Sequence, residues 1–195
     1  EMLGLPLAFA RAGNSEHRSP MEMVEPSKPL PDLLDFQVLV KDKIVKTLKE
    51  SSKGIVVMPT GAGKTRTTVE AVIEYLVSNS LPISRVVWMA DRDELCEQAF
   101  QTFKTVIENR SSESVPIWRY WMGNSVDFQI EDDVRHVPGV VVTSIQQIRS
   151  RYKSNEPAAR YVIDSCRALV LDEAHRNLDF NRGLFQTLED NGKSP

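Results

Sequence analysis

Gly54-Ile-Val-Val-Met58 runs directly into Pro59-Thr-Gly-Ala-Gly-Lys-Thr65, and this stretch decides the fold. Ile55, Val56 and Val57 make a β-branched run that reads as a strand. Gly61 and Gly63 let the following backbone curl so that its N–H groups face phosphate oxygens. Apolar residues then fall at Val69, Val72, Ile73, Leu76 and Val77, which is helical spacing, with a stop near Asn79 and Pro82. Strand, turn and helix in that order add the positive N-terminal end of the helix to the turn. Lys64 is then placed to reach β- and γ-phosphates, and Thr65 to offer its hydroxyl to Mg2+. The general pattern for such loops begins with Gly where Met58 stands, but the part that does the chemistry is intact. Thr60, Gly61, Ala62, Gly63, Lys64, Thr65 and Arg66 are expected to contact a bound nucleotide.

Outward from this loop the chain alternates strand and helix signals. Apolar residues at Phe36, Leu39, Val40, Ile44 and Leu48 predict a helix upstream. Downstream, Arg85 to Ala90 reads as a buried strand, and Leu95, Ala99, Phe103 and Val106 mark another helix. Further strands are expected at Ile117 to Met122, Gly139 to Thr143 and Ala168 to Leu171. Ser144 is placed to cap a short helix through Arg151, and Pro157 suits the first turn of another. Strands apolar throughout and separated by helices predict a mostly parallel α/β sheet covered on both faces. In Ala168-Leu-Val-Leu-Asp-Glu-Ala-His175, Asp172 and Glu173 follow a buried strand at its carboxyl end, where ligands of open parallel sheets bind. An Asp-Glu pair after a strand is by itself usually a solvated strand end. Paired with the phosphate loop on the same sheet, Asp172 reads as a Mg2+ ligand and Glu173 as the residue that orients the attacking water.

Composition narrows the class. The 195 residues are enough for one α/β domain with a tail, and a formal net charge of -3 provides no global basic field. Contact with a nucleic acid must then be local or shared with another domain. Cys96 and Cys166 have no metal-ligand spacing, which predicts free thiols and a reducing, cytoplasmic setting. No run of about 18 apolar residues predicts a membrane span. Pro6, Pro20, Pro26, Pro29 and Pro31 make residues 1–31 read as an irregular tail, with the folded domain expected over 32–195.

Taken together, these residues resemble superfamily 2 helicases and translocases. Pro59-Thr-Gly-Ala-Gly-Lys-Thr65 is similar to their motif I, and Asp172-Glu-Ala-His175 to a motif II of DEAH type. Phe36-Gln37 resembles the element whose glutamine reads adenine, although Leu34 stands where related proteins commonly carry Arg. Val86-Val-Trp-Met-Ala-Asp-Arg-Asp-Glu-Leu-Cys-Glu-Gln98 resembles motif Ia, whose loop touches the nucleic-acid backbone and makes Arg92 the candidate. Val140-Val-Val-Thr-Ser-Ile-Gln146 resembles an element of the motors of type I and type III restriction enzymes. The resemblance implies that Thr143 and Gln146 lie near the strand or support the loop that does. It implies a RecA-like ATP-binding domain that uses ATP and Mg2+, acts on DNA or RNA, and works against a second RecA-like domain within a larger complex. It also implies a coupling role for His175. The family's first motor domain continues beyond the DEAH sequence to a further strand placed next to the phosphate-loop strand. The chain is therefore expected to be a fragment, truncated before that strand and weakly active alone.

Three functions compete. The first is a nucleic-acid-dependent ATPase, with DNA and a restriction or defence complex favoured. The second is a phosphate-loop NTPase switch with no nucleic-acid partner, against which the Arg92 loop and the Thr143-Ser-Ile-Gln146 turn count. The third is a non-catalytic module, disfavoured by intact Lys64, Thr65, Asp172 and Glu173. Arg149, Arg151, Lys153 and Arg160 around Tyr152 read as a solvated helix face before a phosphate-contacting patch. Trp118, Tyr120 and Trp121 read as core before a base-stacking surface.

Overall fold

The structure, a computed structural model, describes residues 19–25, 30–78, 85–126, 138–172 and 182–183. Its elements are β1 (Met21–Val24), α1 (Asp35–Lys49), α2 (Lys64–Ser78), β2 (Arg85–Ala90) and α3 (Asp93–Arg110). These are followed by β3 (Val115–Tyr120), β4 (Gly139–Ser144), α4 (Ile145–Lys153), α5 (Pro157–Ser165) and β5 (Cys166–Leu171). The five strands form one sheet in the order β1-β3-β4-β2-β5. Only β1 runs antiparallel; β3, β4, β2 and β5 are mutually parallel.

Alternation along the central strands divides the core in two. Val86, Trp88 and Ala90 of β2 join Val140 and Val142 of β4 beneath α2 and α3. Val87 and Met89 join Val141, Trp118 and Tyr120 beneath α4 and α5. Both faces of the parallel strands are thus covered by helices, as their continuous apolar runs predict. Trp118, Tyr120 and Trp121 are buried core residues. Cys96 and Cys166 are buried free thiols. Burial pushes the Cys96 thiol up to about 12, and the neighbouring charges of Asp93 and Asp172 push in the same direction. No helix among the described residues is long and apolar enough to cross a membrane.

Two expectations need correction. Residues 21–24, placed by the sequence in an irregular tail, form the edge strand β1 against β3. The cause lies in tertiary contacts that the short Met-Glu-Met-Val run does not advertise. Arg119 of β3 is only 3% exposed, and its guanidinium stacks 3.6 Å from the Phe100 ring centroid. The same group donates to Glu22 at 2.7 Å and to the Ser19 carbonyl at 3.0 Å. Lys104 adds a second donor to Glu22 at 2.9 Å.

Gly54–Met58, expected to be the strand that feeds the phosphate loop, belongs to no strand. Ile55 is 92% exposed and Val57 86% exposed. A β-branched run favours strand geometry only where a pleated neighbour packs against it, and none of the described strands pairs with this one. The edge β5 pairs only with β2 among the described strands, and its Leu169, Val170 and Leu171 are partly exposed.

Candidate nucleotide and nucleic-acid site

The loop between Met58 and α2 keeps the shape its glycines predict. Gly61 and Gly63 both hold φ at +79°, a region that strains residues with a Cβ. The Ala62 N–H donates to the Pro59 carbonyl at 3.1 Å, which closes the turn. The Thr67 N–H donates to the Gly63 carbonyl at 2.9 Å, so helical bonding starts at once and Lys64 and Thr65 occupy the first positions of α2. A Cβ on Gly61 would meet nothing within 4 Å, whereas one on Gly63 would lie 2.6 Å from Nε2 of Gln37. The loop is therefore open on one side and closely packed on the other.

Gln37 is the packing partner. Its Nε2 donates to the Ala62 carbonyl at 2.9 Å, and its Oε1 accepts from the Leu34 N–H at 2.8 Å. The structure thus joins Gln37 to the phosphate loop and lets it close the first turn of α1. To read an adenine, its amide must exchange these partners. Arg66 is also engaged: its Nε donates to Glu70 at 3.0 Å and its NH2 to the Pro31 carbonyl. A phosphate contact would require it to leave both.

Asp172 directly follows β5, and its N–H donates to the Met89 carbonyl at 2.8 Å. It lies close enough to α3 for its charge to bear on Cys96. The direction of α2 relates this carboxylate to the loop. Burial pushes the Tyr75 hydroxyl up, and the charges acting on it are those of Arg167 and Cys166 at the start of β5. Tyr75 lies near the end of α2, whose buried residues share one core cluster with Ala168 and Val170. The eleven steps from Lys64 to Tyr75 rise about 16 Å in a helix, and the chain from Cys166 to Asp172 rises about 20 Å at strand spacing. The start of α2 accordingly faces the carboxyl end of the sheet. Glu173 and His175 lie outside the described residues.

The same sheet end carries a cleft of about 500 Å3, lined among others by Arg92, Met122, Ser144, Gln146, Gln147 and Arg151. Arg92 is exposed and directly precedes α3. Ser144 caps α4, its Oγ accepting from the Gln147 N–H. Gln146 donates to the Asp91 carbonyl at 2.6 Å, which anchors the Arg92 loop. Thr143 is fully buried, and its hydroxyl donates to the Tyr120 carbonyl at 2.7 Å. Of the two roles its resemblance allows, this geometry matches support of the loops. Of the basic cluster, Arg151 is committed inward, to Glu156 at 3.1 Å and to the Gly123 carbonyl at 2.9 Å. Arg160 lies over the Tyr152 ring at 5.0 Å, while Arg149 and Lys153 are exposed. Met122, Gln147 and Arg151 were not legible as cleft residues. The sequence placed Met122 at the end of a strand expected over Ile117 to Met122, whereas β3 ends at Tyr120 and Met122 lies in the turn that follows; Arg151 entered only as one of the basic cluster.

The fold is that of a RecA-like P-loop domain, a mostly parallel sheet between helices with a Gly-rich loop opening α2. The chain belongs to the family described as type III restriction enzyme, res subunit, whose pattern matches residues 31–188. Among solved structures it is similar to a nuclease-deletion mutant of the Type ISP restriction-modification enzyme LlaGI, determined in complex with a DNA substrate mimic. That similarity has a TM-score of 0.56 at 18% identity and covers 84% of this chain, which spans 16% of the LlaGI chain. None of the curated proteins matches the chain. Family membership places the chain among helicase-type motor domains, and the neighbour bears on the fold alone.

Proposed function

We propose that this chain is the ATP-binding part of a motor that uses ATP hydrolysis to move along nucleic acid, with DNA as the favoured track. The observation that carries this reading is one sheet end that holds both the Lys64 end of α2 and Asp172, with the Arg92 cleft beside them. The LlaGI complex supports DNA over RNA, and family membership supports a restriction or defence complex in the cytoplasm. The runner-up, an NTPase switch without a nucleic-acid partner, leaves the Arg92 cleft without a role.

The residues present suit a magnesium-bound triphosphate. Thr60, Gly61 and Gly63 offer backbone N–H groups to the phosphates, while the Ala62 N–H, which donates to the Pro59 carbonyl, must leave that partner to join them. Lys64 binds the β- and γ-phosphates as a point charge. Thr65 and Asp172 supply hard oxygen donors of the kind magnesium prefers. When bound, the metal neutralises charge on the phosphate oxygens. Glu173 orients the attacking water, and Gln37 reads the adenine. His175 passes the nucleotide state to a second RecA-like domain, which supplies the remaining charge at the γ-phosphate. The chain alone then binds nucleotide weakly and hydrolyses it poorly.

The test uses the full-length protein, its Lys64→Ala and Asp172→Asn variants, and a fluorescent ATP analogue titrated with and without magnesium. Lys64→Ala is expected to abolish binding, and Asp172→Asn to remove the magnesium dependence. Unchanged affinity in Lys64→Ala removes the nucleotide site. ATP hydrolysis indifferent to single- and double-stranded DNA and to RNA would favour the switch.

A further inference from the structure

One wall of the cleft carries an exposed apolar side chain on a strained backbone. The Asn124 N–H donates to the Trp121 carbonyl at 3.1 Å, closing a four-residue turn. Its central residues, Met122 and Gly123, have φ of +54° and +75°. A turn with both central residues in the left-handed region favours Asn or Asp followed by Gly. Met gains nothing there locally, since its Cβ is strained and its side chain is 72% exposed. Such an outlier, held in place by its surroundings, points to a use.

The surroundings do hold it. Trp121 is buried in the core and fixes the start of the turn. From α4, Gln147 accepts from the Gly123 N–H at 2.9 Å and donates to the Asn124 carbonyl at 3.0 Å. Arg151 donates to the Gly123 carbonyl. The neighbour of Gln147, Gln146, holds the opposite wall through Asp91. Two adjacent side chains of the first turn of α4 therefore brace both walls, one bearing a cation at Arg92 and the other a thioether at Met122. Backbone phosphates match the first wall and the apolar face of a base the second.

We infer that Met122 is a base-contacting residue, a rigidly mounted apolar contact against which one unstacked base of the bound strand rests while Arg92 holds the phosphates. This assignment rests on the nucleic-acid reading above. A methionine face packs on any base, so the contact adds affinity without sequence preference. It makes no phosphate contact and releases no counterion.

The experiment measures single-stranded DNA binding by the full-length protein, as wild type and as Met122→Gly, Met122→Leu and Arg92→Ala, across a salt series. Glycine suits the backbone at position 122, so Met122→Gly is expected to fold with a Tm no lower than wild type. It should bind the strand roughly tenfold more weakly with an unchanged salt slope, while Met122→Leu retains most of the affinity. Arg92→Ala should reduce the magnitude of the salt slope by about 1. On a strand with abasic positions across the binding site, wild type and Met122→Gly should bind alike. Wild-type affinity in Met122→Gly beside a weakened Arg92→Ala refutes the Met122 contact and leaves the nucleic-acid reading intact. No binding of DNA or RNA by the wild type overturns both.

Discussion

Replacing Arg119 by Met should detach the first strand of the sheet. The guanidinium makes three separable contributions: the charge-assisted bond to Glu22, the bond to the Ser19 carbonyl, and the stack on Phe100. Breaking a fully buried ion pair costs about 3–5 kcal/mol, because the surviving charge is left without its partner. Here Glu22 is partly exposed and keeps Lys104, which lowers that figure. The methionine recovers packing on Phe100 but not the cation–π attraction, worth about 0.5–2 kcal/mol. The net expectation is a loss of about 2–3 kcal/mol. With a urea m-value of about 2 kcal/mol/M, the midpoint falls by roughly 1–1.5 M. The assay is urea unfolding of the chain followed by circular dichroism, for Arg119→Met, Glu22→Gln and the double variant. The cycle should return a favourable coupling of about 1–2 kcal/mol at pH 7. It should also depend on pH. Burial would raise the Glu22 carboxyl, but the hydrogen bonds from Lys104 and Arg119 and their charges together hold it below its ordinary 4.5. A carboxyl lowered on folding stabilises above its unfolded value, and that contribution fades as pH falls through the folded value. The coupling is thus complete above about pH 5.5 and declines below pH 4.5. A destabilisation under about 0.5 kcal/mol, or a coupling of zero at pH 7, refutes the claim that this cluster holds β1.

Two further outcomes follow from the site. Gly63→Ala places a Cβ 2.6 Å from Nε2 of Gln37 on a backbone at φ +79°. Thermal unfolding should show a loss of about 1–3 kcal/mol, and nucleotide titration a weaker affinity. Adding Gln37→Ala should recover only the part due to the clash. Thr143→Val keeps the shape of the side chain but leaves the buried Tyr120 carbonyl without the hydroxyl bond. Urea unfolding should register about 1–3 kcal/mol of destabilisation, whereas the salt slope of DNA binding stays at its wild-type value.

Much of the sheet was legible because its strands are apolar on both faces. Arg85 to Ala90 was read with its observed bounds, and Gly139 to Thr143 ended one residue short of β4. The short helix after Ser144 was marked by its cap and α5 by Pro157, both local signals. The edge strand β1 was hidden because four residues carry no period and their partner is a buried arginine far along the chain. Gly54–Met58 misled in the opposite sense, since β-propensity describes a fit to neighbours and the neighbour is absent from the described sheet. At the site, residue identity pointed to Lys64, Thr65 and Asp172. It said nothing about the inward bonds of Thr143, Gln37 and Arg66, which depend on where other backbone carbonyls lie. Glu173 and His175 remain proposals from motif alone.

The exposed run of Ile55 and Val57 and the open margin of β5 among the described strands also have a consequence for handling the protein. Unpaired, β-branched backbone free of charge is a template for intermolecular pairing. Solutions of this chain should tend to self-associate as concentration rises, through growth of sheet between molecules. A single lysine at position 55 or 57 should act as a gatekeeper and delay that growth without disturbing the core.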